Sequence, residues 1–111
     1  MSERAGALAA IDRLVDRGGD ADEVLRAVLA ALHDHGIAFA AIRFVEDGQL
    51  VDGPTIGTPA QGQTTPVVYN GEQVGELELA DDDATFAERV ATSISAYVLV
   101  GWDTSGEAWS P

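Results

Sequence analysis

Cysteine and lysine are both missing from these 111 residues. Without cysteine there are no disulfides, no thiolate metal ligands and no thiol nucleophile. Without lysine, positive charge falls to six arginines, which face 19 acidic residues for a formal net charge of -13. Nucleic acid and anionic membranes both require clustered cations, so a surface of this sign repels them. Long apolar runs are missing too: no stretch reaches the roughly 18 residues of a membrane span. The opening Met1-Ser2-Glu3-Arg4 lacks the basic lead and apolar core of a signal peptide. The expectation is a cytoplasmic protein with no nucleic-acid and no membrane partner.

What is present fits one packed domain. Hydrophobic residues make up 46% of the chain, enough for an ordinary core. A chain of this length buries roughly two thirds of its unfolded surface and needs no metal to hold it. The acidity has two ordinary sources. One is a salt-rich cytoplasm, where a dense carboxylate surface keeps protein soluble; the other is genome composition, since Ala, Gly, Asp and Arg dominate. The sequence does not separate them.

The apolar spacing predicts seven elements. Leu8, Ile11, Leu14 and Val15 share one helical face, and Gly18-Gly19 ends that helix. Asp20 is an N-cap residue with Glu23 three positions on, a capping-box arrangement. Val24, Leu25, Val28, Leu29 and Leu32 form the stripe of the next helix, which Gly36 closes. Ala38 to Val45 reads as a strand. Glu46-Asp47-Gly48-Gln49 is a turn with Asp-Gly at its centre. Leu50 to Ile56 is a weaker strand, and Pro54 makes it an edge or an irregular one. A loop over Gly57 to Thr64 leads to a third strand, Thr65 to Tyr69. Asn70-Gly71 then turns the chain into a fourth, Gln73 to Leu79. Alternation there sets Val74, Glu76 and Glu78 on one face and Gly75, Leu77 and Leu79 on the other. Asp81-Asp82-Asp83 precedes a last helix, Ala84 to Val100, with Phe86, Val90, Ile94, Tyr97 and Val98 on its apolar face.

Two helices, four strands in two hairpins and one helix make an α+β order. The stretch Thr65-Pro66-Val67-Val68-Tyr69-Asn70-Gly71-Glu72-Gln73-Val74-Gly75-Glu76-Leu77-Glu78-Leu79 resembles the end of a GAF-domain sheet. There a strand of the form x-Pro-apolar turns through glycine into Val-Gly-x-Leu-x-Leu. Phe86 to Val98 resembles the closing helix of that family. The helix from Asp20 and the strand at Ala41 to Val45 fit its start, so the resemblance covers residues 5–100. It implies a GAF/PAS-like fold over residues 1–101: an antiparallel sheet of four or more strands with helices packed on one face. A tryptophan-containing tail, 102–111, follows. The chain departs from the family in its middle. Most GAF domains close a long segment over their ligand, and the connection Gly57 to Thr64 is too short for such a lid. The cysteines of the sulfoxide-reductase and phytochrome branches are absent, as is the Asn-Lys-x-Phe-Asp-Glu signature of the cyclic-nucleotide branch.

Candidate chemistry centres on one sheet face. Ile42, Phe44, Leu77 and Leu79 should meet the helices, leaving Arg43, Glu76 and Glu78 opposite, with Ala41 and Val45. Arg43 is the one cation inside a strand. It suits bidentate capture of a carboxylate or phosphate, and with Tyr69, Glu76 and Glu78 it makes a candidate ligand-binding set. Alternatively it pairs with Glu76 or Glu78 across an exposed sheet. His33 and His35 flank Asp34, but residues two apart on a helix diverge, and histidines near a helix C-terminus also suit its dipole. Asp81-Asp82-Asp83 lacks the spaced ligands of a calcium loop and reads as a helix cap. No metal or cofactor is implied. No nucleophile–base pair stands out, so the chain is not expected to be an enzyme.

Trp102 and Trp109 sit in an otherwise polar tail and need somewhere to bury their rings. Either the tail folds back over its own domain, or it docks on a second subunit or partner, or it stays exposed. The functional expectation is a non-catalytic regulatory or interaction module. It would self-associate as a homodimer through its helices, with apolar positions of the Leu8–Val15 helix at the seam, and signal through a separate effector protein. The alternative is a sensor of small anionic ligands on the open sheet face.

Overall fold

The computed structural model describes residues 3–100. The first apolar stripe becomes α1 (Glu3–Arg17), which runs further at both ends than the stripe itself. Gly18 and Gly19 separate it from α2 (Ala21–Asp34). Asp20 occupies the N-cap of α2 but makes no side-chain capping bond, so the expected capping box does not form. Asp22 and Glu23 instead place negative charge in the first turn, against the positive end of the helix dipole. Four strands follow: β1 (Phe39–Glu46), β2 (Gln49–Gly57), β3 (Gln63–Tyr69) and β4 (Glu72–Leu79). Helix α3 (Ala84–Val100) closes the described chain.

The strands form one antiparallel sheet in the order β2-β1-β4-β3. Both hairpins turn through two residues with positive φ, Asp47 and Gly48 at 52° and 79°, Asn70 and Gly71 at 51° and 83°. Those values match the turn whose twist suits paired strands. Helices α2 and α3 cover one face of the sheet, giving the α+β fold the element order implies. Ala40, Ile42, Phe44, Val67, Leu77 and Leu79 point into the core they share. Helix α1 packs chiefly on α2 and α3, burying Ala7 and Ile11. Leu8, Leu14 and Val15 lean on the same core. The apolar side of α1, read from sequence as the seam of a dimer, is thus engaged within its own chain.

Two bulges depart from simple alternation. On β2, Gly53 and Pro54 stand opposite the single residue Ile42, because the register steps from Ala41↔Thr55 to Arg43↔Asp52. Pro54 therefore marks both an edge and an irregularity. On β4, Val74 is the extra residue between Val67↔Gly75 and Val68↔Gln73. A bulge residue shifts the side-chain alternation. Val74 consequently packs against the helix-side core, not with Glu76 and Glu78 as strict alternation predicts.

Candidate functional site

The register assembles the open face row by row. Arg43 on β1 lies between Asp52 on β2 and Glu76 on β4, with Pro66 on β3 beyond. One row down, Thr55, Ala41, Glu78 and Thr64 lie abreast. Towards the hairpins, Val45 pairs with Leu50 and Val68 with Gln73. All three helices are on the other side of the sheet. Leu50 and Val68 are 45% and 46% exposed. Phe39 and Ala41 share the open side by alternation, yet both are buried.

Arg43 is the centre of this face. Its Nη1 donates to Glu76 Oε1 at 2.9 Å and its Nη2 to Glu78 Oε1 at 2.5 Å. Its Nε lies 3.6 Å from Asp52 Oδ1. Glu76 and Glu78 are two apart on a strand, so both carboxylates rise on the same side and straddle the guanidinium. The hydrogen bond to Glu78 raises the Arg43 pKa above its ordinary value against the opposing effect of desolvation, and the charges of Glu78 and Glu76 add to the rise. Arg43 is thus fixed as a cation and engaged by three carboxylates. One positive and three negative groups leave this cluster at net −2. An anion approaching Arg43 would have to displace carboxylates of the protein itself.

Tyr69 is not brought to this cluster. It falls in the β3 row of Thr65 and Val67, which faces the helices. The connection between β2 and β3 is Thr58–Gly62, since both strands extend into the predicted loop. It passes the end of β4, where a side chain on Gly62 would meet the backbone of Leu79 and Ala80. A cleft of about 550 Å³ opens beside it, lined by Gln61, Gly62, Gln63, Ala80, Asp81 and Asp82, away from Arg43. No family model, curated protein or solved structure matches this chain.

Asp81, Asp83 and His35 have structural partners. Asp81 takes a two-pronged hydrogen bond from Arg4, 3.0 Å from Nε and 2.6 Å from Nη2. That bond, with the charge of Arg4, holds the Asp81 carboxyl below the usual range, against a smaller push from burial. Asp83 Oδ1 accepts the Phe86 backbone N–H at 3.0 Å, a cap on α3. His35 caps the C-terminus of α2 through its backbone N–H, and its ring lies beside Gly6 of α1. His33 is exposed. Among the described residues no three His, Asp or Glu side chains stand together to hold a metal, and no helix is long and apolar enough to cross a membrane. Trp102 and Trp109 lie outside the described residues.

The sequence missed Asp52 as a member of the Arg43 cluster. Its position depends on the β2 bulge, which Gly53-Pro54 signals without fixing its register.

Proposed function

We propose that this chain is a non-catalytic, GAF-like regulatory or interaction module that acts by binding another macromolecule. The observation that carries this reading is the open sheet face, where Arg43, the only strand-borne cation among the described residues, is engaged by carboxylates while Leu50 and Val68 remain exposed. A ligand sensor needs a pocket with a few unengaged polar groups; on this face the arginine is already engaged by Glu76 and Glu78. The short Thr58–Gly62 connection supports the same reading, because it leaves the face without the cover a GAF ligand site has. A cytoplasmic location and a separate effector chain accompany it.

Self-association through the helices belongs to this reading as well. With the α1 stripe engaged internally, the large exposed apolar side chains on the described helices are Leu99 and Val100 at the end of α3. Light scattering across a concentration series tests it. A dimer that Leu99→Ser/Val100→Ser dissociates is expected, and a strict monomer at high concentration contradicts self-association. A thermal-shift screen of nucleotides and organic acids tests the anion-sensor alternative. No stabilisation is expected. A shift that Arg43→Ala abolishes would favour the sensor.

A further inference from the structure

We infer that the Arg43 face docks a basic, extended segment of another protein. Its lysine or arginine side chains would meet Glu76, Glu78 and Asp52, and its apolar side chains would lie on Leu50 and Val68. This deepens the interaction-module reading and rests on it.

Charge selects the occupant. The cluster is net −2 on a chain of net −13. Two copies stacked face to face would oppose like charges, which costs affinity directly. The chain's own residues 102–111 add Asp103 and Glu107 and no basic residue, so they carry the same sign. A cationic partner is steered inward by the whole molecule and paired at the centre. Geometry selects the surface. Both edge strands contain proline, Pro54 in β2 and Pro66 in β3. Each removes a backbone donor from its strand, which opposes pairing with an added strand at the edges. The face itself remains. Exposed apolar side chains flank its hairpin end on the two outer strands, and the carboxylates lie between and behind them. A segment crossing that end would bury apolar groups on Leu50 and Val68 while its cations reach Glu76 and Glu78.

Three synthetic peptides of equal length test this on the full chain at low salt: alternating Lys-Val, alternating Ser-Val and alternating Lys-Ser. Titrations are followed by amide chemical shifts. The Lys-Val peptide is expected to bind most tightly and to shift the amides of residues 43, 50, 52, 68, 76 and 78. Glu76→Gln/Glu78→Gln should weaken it about tenfold, and Leu50→Ser/Val68→Ser about five- to tenfold. Asp12→Asn/Asp16→Asn, on exposed positions of α1, removes the same charge elsewhere and should leave the affinity within about twofold. Circular dichroism confirms that each variant is folded.

Equal losses from the α1 and β4 variants would mean non-specific attraction and overturn the inference. If Ser-Val shifts the same amides as strongly as Lys-Val, the basic partner is wrong while the interaction reading stands. If no peptide shifts them, the face is not a docking surface for such segments and the inference falls, while self-association through the helices is decided separately by light scattering. A doubled mass abolished by Leu50→Ser/Val68→Ser would make a second copy the occupant. A tryptophan emission change with that variant would point to residues 102–109 instead. Either result overturns the proposal.

Discussion

Gly75 on β4 lets β1 and α3 approach it closely by lacking a side chain. A Cβ there would press on the Arg43 backbone carbonyl and lie 2.6 Å from Val98 Cγ1. The Arg43 carbonyl belongs to β1 and cannot yield, so β4 would have to shift against β1 as well as away from α3. Gly75→Ala should cost about 1–3 kcal/mol, read from urea unfolding. Asp81 gives a second prediction at this scale. Its folded pKa lies below the ordinary value, so its contribution is complete above roughly pH 4 and is lost as pH falls through the folded value. Asp81→Asn removes that contribution. The stability gap between wild type and variant should therefore be widest near neutral pH and close in acid. A gap independent of pH would contradict the Arg4 pairing as its source.

At the scale of elements, α1 is a structural layer. It is tied at one end to the segment leading into α3, through Arg4 to Asp81, and at the other to α3 itself, through the Tyr97 hydroxyl, which donates to the Val15 carbonyl at 3.2 Å. Ile11 is fully buried between the helices. Ile11→Ala should cost about 2–5 kcal/mol in urea unfolding, a loss a peripheral dimer helix would not show in the monomer. The elements were legible in the sequence because periodicity and turn chemistry agreed: Asp47-Gly48 and Asn70-Gly71 turn where they should, and the α2 stripe is buried as spaced. The bulges were not, because a one-residue register shift leaves composition unchanged. That shift turned Val74 inward and set Asp52 beside Arg43. Tyr69 was misplaced for a related reason. Its own strand alternates regularly, but its row could be assigned only once β3 was registered against β4. Of the candidate site, Arg43, Glu76 and Glu78 were legible, because alternation alone puts them on one side.

Over the whole molecule, charge dominates. A net charge of -13 on 111 residues repels itself in the compact state. Raising salt from about 0.1 M to about 1 M shortens the screening length from roughly 10 Å to roughly 3 Å. The melting temperature should therefore rise with sodium chloride, whereas affinity for a basic peptide should fall. These opposite slopes separate self-repulsion from partner attraction. The central claim is that the sheet face around Arg43 is the working surface. An amide-shift map of the full chain titrated with the Lys-Val peptide tests it most directly. The account predicts shifts concentrated on residues 43, 50, 52, 68, 76 and 78. Shifts concentrated on α1 or α3, with those six unmoved, would contradict it.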